Sequence, residues 1–148
     1  MNGRNRESRT IEYALTILLC LKMSYQRGPL PAPQIAEGSP LPRKFRYKIL
    51  RSLVDAGLLR SSVGPGGGYL LARAPHEIAL REIFQAVGFP FIAVSLLPLD
   101  PEHQASFEEI NAMISRHYQQ LLTDLAELTL ADLQQDGESP ETDPPPGS

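Results

Sequence analysis

The chain has 148 residues, 42% of them hydrophobic and 21% charged, with a single cysteine. That length and apolar share suit one small domain with an appended segment. One thiol excludes a disulfide framework and any Cys-rich metal site built within one chain. The net charge of −3 conceals a division: residues 1–75 carry 12 Lys+Arg and 4 Asp+Glu, and residues 76–148 carry 2 and 13. Such segregation suits a protein that offers one half to a polyanion. The apolar run from Leu15 to Leu21 is too short to span a bilayer. No secretory h-region follows the basic start, so the expected location is the cytoplasm, at the nucleoid, with no membrane partner.

Residues 1–8 are polar and basic and read as a flexible arm. Residues 9–25 have helical periodicity. Ile11, Ala14, Leu15, Leu18 and Leu21 share one face, and Tyr13, Thr16, Ile17 and Cys20 form a second stripe. A helix apolar on two sides packs against two neighbours. Gly28-Pro29-Leu30-Pro31 ends it. A short helix is expected next, with Pro33 near its first position, Gly38 past its end, and Ile35 and Ala36 buried. Pro42 opens a longer helix that closes at Gly57, with Phe45, Ile49, Leu53 and Ala56 toward the core. Two helices joined by a short turn, the second strongly basic, have the helix-turn-helix layout.

Segments 58–62 and 69–72 read as strands joined by Val63-Gly64-Pro65-Gly66-Gly67-Gly68. Such a tip lets the chain lie close to another backbone. It is no phosphate-binding P-loop, because Tyr69 and Leu70 follow in place of Gly-Lys-Ser/Thr. Ile78 and residues 80–87 suggest a short strand and helix that close a winged helix-turn-helix domain over residues 9–87. The fold class is therefore mainly α with a small β-wing.

Residues 88–105 form a Pro-rich connector. Residues 106–135 read as a long helix. Phe107, Ile114, Tyr118, Leu121, Leu125 and Leu128 make a heptad-like seam with a gap at Asn111. An apolar stripe of that length needs a partner, and an identical chain is the expected one, giving a homodimer. The acidic, Pro-rich segment 136–148 reads as disordered.

Lys44, Tyr47, Lys48 and Arg51 recur at i, i+3, i+4, i+7, away from Phe45, Ile49 and Leu53, with Arg43 and Arg46 flanking. This division suits a helix laid in the major groove of double-stranded DNA, with the wing residues Gly64, Pro65, Gly66 and Gly67 beside it. For catalysis the chain offers no nucleophile elbow, Ser/His/Asp spacing or paired-carboxylate motif, so an enzyme is not expected. Asp100, Glu102 and His103 are ligand types with no spacing that demands a metal, and a solvated loop is the plainer reading.

Three pieces together carry a resemblance: residues 49–59, which end in Ala56-Gly57-Leu58-Leu59; Gly64-Pro65-Gly66-Gly67-Gly68-Tyr69-Leu70-Leu71; and Glu77-Ile78-Ala79-Leu80-Arg81-Glu82-Ile83 with Ala86-Val87. The stretch from Lys44 to Val87 resembles the Rrf family of bacterial winged-helix transcription regulators. The resemblance covers roughly residues 9–135 and implies a dimeric DNA-binding regulator, usually a repressor, on a two-fold symmetric operator. Iron–sulfur members carry three closely spaced cysteines in the connector. Residues 88–105 here contain none, so this chain resembles a member without the cluster, and no cofactor is expected. Many members place an arginine just before the first wing glycine, where this chain has Val63. Cys20 has three readings: a small packed interface residue, a single redox-sensing thiol as in some cluster-free members, or a metal ligand. The alternative reading of the whole chain is a protein-interaction dimer of the same fold with weak DNA binding.

Overall fold

The computed structural model describes residues 3–88 and 96–133, with side-chain surroundings from residue 9 onward. The expectations for residues 89–95 of the connector and for the acidic tail lie outside the described residues.

Helix α1 spans Gly3–Met23 and so begins inside the stretch expected to be a flexible arm. Residues 4–9 contain no proline or glycine. Extending a docked helix adds a hydrogen bond per residue without a second nucleation cost. Its buried residues are Ile11, Ala14, Ile17, Leu18 and Leu21. Ile17, expected on the second stripe, is thus part of the main core, and Leu15 is only half-buried. The helix packs against residues 43–55, 68–71 and 80–86, as its two apolar sides require.

The expected short helix is reduced to a 3₁₀ turn at Ala32–Gln34. Pro31 and Pro33 supply no amide donors, and Ala36 takes the left-handed conformation at φ 55°, which stops helical propagation. Ile35 and Ala36 are still buried. Helix α2 spans Arg43–Asp55 after Pro42. Gly57 at φ +75° closes it, with Leu58 N–H donating to the Leu53 carbonyl at 3.0 Å. The buried face is Ile49, Leu50 and Leu53. Phe45 and Ala56, expected in the core, are exposed. They sit in the first turn and just past the last, where the domain no longer covers the helix. Phe45 leans on Tyr13 instead, ring centroids 6.4 Å apart.

Strands β1 (Leu59–Ser62) and β2 (Gly68–Leu71) pair antiparallel, with Leu59 opposite Leu71 and Ser62 opposite Gly68. Leu59 and Leu71 are buried together, whereas Arg60 faces solvent. On the other side of β2, Leu30 and Tyr69 exchange two backbone hydrogen bonds of 2.9 Å, so a single residue acts as a third strand. This approach explains Gly68. A Cβ there would stand 2.3 Å from the Leu30 carbonyl oxygen, and the backbone is at φ +150°.

Helix α3 (Leu80–Ala86) follows a turn organised by Arg73. Its Nη2 pairs with Glu82 Oε1 at 2.8 Å, and its Nη1 donates to the Glu77 carbonyl at 2.9 Å. Glu82 Oε2 also accepts from the Ala79 N–H at 3.1 Å. The Arg73 hydrogen bond holds the Glu82 carboxyl below its ordinary value. Burial opposes that shift, and the Ala79 bond and the arginine charge add to it.

Helix α4 spans Gln104–Glu127 and stops well short of the expected end at 135. Leu128 is extended at φ −81°, ψ 138° and lies past the helix, not on its seam. Its carbonyl accepts from Leu80 N–H at 2.9 Å, and Leu130 N–H donates to the Ile78 carbonyl at 2.8 Å. Asp132 Oδ2 accepts from Thr129 N–H at 2.7 Å and fixes a 3₁₀ turn at Leu130–Asp132. Leu130 is fully buried in the cluster that holds Leu18, Leu53 and Ile83. The domain core thus draws on chain beyond the expected boundary at residue 87. Lys22 Nζ secures the same segment by donating to the Leu133 carbonyl at 2.7 Å.

Candidate nucleic-acid interface

The buried side of α2 fixes what the other side presents. With Ile49, Leu50 and Leu53 turned inward, Lys44, Tyr47, Lys48 and Arg51 stand exposed on one face, with Arg43 beside them. Arg43 lies over the Tyr47 ring at 5.9 Å from its centroid, and Lys48 Nζ lies 5.8 Å from the Phe45 centroid. These aromatic supports steady long cationic side chains without neutralising them. Arg51 Nε is 3.9 Å from Asp55 Oδ2, both side chains being largely exposed, so the pair is solvent-screened and weak.

Arg46 does not join this face. Its Nη1 donates to the carbonyls of Ala32 (3.2 Å) and Pro33 (3.5 Å), bracing the 3₁₀ turn against α2. The sequence carried a signal for this role: a Pro-x-Pro segment leaves carbonyls without helical partners, and a nearby arginine can satisfy them. At the wing, Val63, Gly64, Pro65 and Gly66 are exposed and Gly67 is half-buried. Gly67 N–H closes the tip onto the Gly64 carbonyl at 3.0 Å, and Gly64 (φ +91°) and Gly66 (φ +73°) take conformations that favour glycine. Val63 is 97% exposed, so the tip carries an apolar side chain in solvent.

On α4, Phe107, Ile114, Tyr118 and Leu125 are half-buried and Leu121 is 49% exposed. Leu125 packs on the chain's own core. The outward apolar stripe is Ile110, Met113, Ile114 and Leu121, with His117 among them, which shifts the expected seam around the helix. Asn111, the gap in the heptad pattern, is used elsewhere: its side chain bonds the backbone of Leu96. Cys20 is a free, half-buried thiol on α1. Asp100 Oδ1 accepts from Glu102 N–H at 3.1 Å and lies 2.7 Å from His103 Nδ1, so it caps its own turn. Among the described residues, no three His, Cys, Asp or Glu side chains come together as a metal site, and no helix is long and apolar enough to cross a membrane.

The comparisons with known proteins agree with this fold. The family described as Rrf2, iron-dependent transcriptional regulator, matches residues 7–136. The HTH-type transcriptional regulator IscR of Aliivibrio salmonicida is 37% identical over 75 residues, which is 51% of this chain and 45% of that protein. The chain therefore spans about half the length of the curated relatives it matches. Among solved structures, CymR, the global cysteine regulator of B. subtilis, superposes with a TM-score of 0.65 at 26% identity, covering 83% of this chain and 91% of that one. T. potens IscR superposes with a TM-score of 0.59 at 25% identity, covering 83% and 81%. The iron in the family's description can be tested against the donors present. A cluster needs several thiolates, and this chain has Cys20 alone, on α1. The donor set does not fit an iron–sulfur centre. Fold, wing motif and matched length together place the chain in the Rrf2 family of transcriptional regulators.

Proposed function

We propose that this chain is a DNA-binding transcriptional regulator that works as a homodimer and represses by occupying a palindromic operator. The observation that carries the reading is the division of α2, with Lys44, Tyr47, Lys48 and Arg51 exposed opposite buried Ile49, Leu50 and Leu53. The major groove admits one helix, and lysine and arginine donate to phosphates and guanine edges. The wing lies next in sequence, and its glycines allow close approach to a strand. Tyr47 adds an aromatic hydroxyl to the face, able to donate or accept.

The apolar stripe of α4 supports the dimer. Ile110, Met113 and Leu121 are exposed beside half-buried Ile114 and Tyr118. A two-fold related copy buries the same stripe on both chains at once. One half-site alone gives little affinity, so dimerisation and operator binding are coupled.

The test is duplex binding by substituted protein. Lys44→Ala and Arg51→Ala should each weaken binding, by about 1–3 kcal/mol where the side chain reaches a base. Leu121→Asp should give a monomer in sedimentation and a matching loss of operator binding. Unchanged binding in both α2 variants would remove the reading.

A further inference from the structure

We propose that the cleft between α1, α2 and the end of α3 binds a small hydroxycarboxylate, and that this ligand competes with duplex DNA for Lys48. The competition rests on the DNA-binding reading of α2, whereas the ligand site stands without it.

The cleft is a half-enclosed cavity of about 110 Å³, lined by Thr10 of α1, by Phe45, Lys48, Ile49 and Ser52 of α2, and by Val87 just past α3. Small side chains on both helices, Thr10 and Ser52, leave the gap. At about 30 Å³ per water it has room for three or four, so its ligand is a molecule of only a few carbons.

The walls give the chemistry of that ligand. Ile49 is buried and Val87 half-buried, and with the Phe45 ring they offer an apolar surface to a short hydrocarbon body. Lys48 supplies positive charge. Its Nζ lies 5.8 Å from the centroid of the Phe45 ring, which sets the ammonium at the edge of the same cleft. Among the described residues no ion pair involves Lys48. A carboxylate placed there is shielded from water on the protein side, where attraction exceeds that in open solvent. Ser52 adds a directional requirement. Its Oγ donates its one proton to the Lys48 carbonyl at 3.1 Å, so toward a ligand it accepts. The ligand must bring a donor of its own. An ammonium donor would stand beside Lys48 and be repelled, so the donor is a hydroxyl. Inorganic phosphate has no apolar body and would leave Ile49 and Val87 uncovered.

Lys48 also belongs to the exposed cationic face of α2. An ammonium paired with the ligand is withdrawn from a DNA phosphate, and linkage makes that antagonism mutual.

The experiment is a titration of the full chain, followed by amide NMR at constant ionic strength, with lactate, propionate, lactamide and inorganic phosphate as probes. Lactate should give saturable shifts at the amides of Ile49, Ser52 and Val87, with a dissociation constant of about 1 mM. Propionate lacks the hydroxyl and should bind about two- to tenfold more weakly. Lactamide, without the charge, and phosphate should not saturate. Lys48→Gln, at an exposed position, should abolish the lactate shifts and leave the rest of the spectrum intact. Ser52→Ala should erase the preference for lactate over propionate. Lactate, and not lactamide, should weaken wild-type binding to a random-sequence duplex, and it should leave the weaker binding of Lys48→Gln unchanged. Absence of saturable lactate shifts, equal saturation by lactamide or phosphate, or undiminished lactate binding by Lys48→Gln overturns the site. A lactate preference that survives in Ser52→Ala overturns the hydroxyl assignment. Saturation by lactate with no change in duplex affinity overturns the competition. A chain that binds lactate and no duplex removes the DNA-binding reading and leaves the site standing.

Discussion

Asn111 holds the backbone of Leu96 from both sides: its Oδ1 accepts from the Leu96 N–H at 2.8 Å and its Nδ2 donates to the Leu96 carbonyl at 2.8 Å. An amide side chain completes this paired arrangement because it carries a donor and an acceptor on one plane. The clasp ties residue 96 back to the second turn of α4. Leu97 (81%) and Leu99 (104%) remain highly exposed.

Replacing Asn111 by Asp keeps one bond and turns the other into a repulsion between a carboxylate oxygen and the Leu96 carbonyl. The clasp is open to solvent, so the cost to global stability should be about 1 kcal/mol or less. The local effect should be larger. Hydrogen exchange at the Leu96 amide and proteolytic cleavage between 96 and 103 should both accelerate, while the far-UV dichroism stays unchanged. Wild-type protection at Leu96 in the variant would mean that the clasp does not hold the connector.

Leu130 tests whether the segment after α4 belongs to the domain core. The residue is fully buried among side chains from α1, α2 and α3. Leu130→Ala removes that packing and leaves a cavity, so chemical denaturation should show a loss of about 2–5 kcal/mol. Leu128→Ala, at an exposed position, should cost far less. Equal effects at the two sites would contradict the described path of the chain.

The Arg73–Glu82 pair gives a pH dependence with a definite sign. The Glu82 carboxyl is held below its ordinary value of 4.5 in the folded chain, first through the Arg73 hydrogen bond. The unfolded chain therefore takes up the proton first as pH falls. The contribution is complete above the unfolded value and is lost as pH drops through the folded one. The side chains are 36% and 39% exposed, so screening keeps the effect modest. Glu82→Gln should lower stability at neutral pH and flatten the loss on the acid side of 4.5. Thermal melts of both proteins from pH 7 to 3 check this, and parallel curves would contradict it.

Where the sequence carried punctuation, the fold was legible. Pro42 and Gly57 bracket α2, and the glycine-rich tip between two short segments marks the β-hairpin. Composition at chain segments proved less informative. The basic residues 3–8 looked like an arm but continue α1, because a docked helix propagates cheaply. Pro31 and Pro33 suggested a helix start but removed the donors a full helix needs. Leu128 continued a heptad count, yet its backbone pairs with Leu80, and a count of apolar spacings cannot see a backbone partner 48 positions away. Of the candidate site, the exposed cations of α2 were readable from spacing. Arg46 shares their spacing and its bracing role was only hinted at, by the Pro31-Ala32-Pro33 carbonyls it meets. The Asn111 clasp left only a negative trace, an interruption in the seam.

We propose that this chain binds duplex DNA through segregated positive charge despite a net charge of −3. The most direct measurement is the affinity of the unmodified chain for duplex DNA as a function of salt. Each phosphate neutralised releases condensed counterions, so log affinity should fall linearly with log salt, with a slope of about −0.9 per contact. Several contacts from two subunits should give a slope several times that value. A slope near zero, or no measurable binding at low salt, would contradict the account.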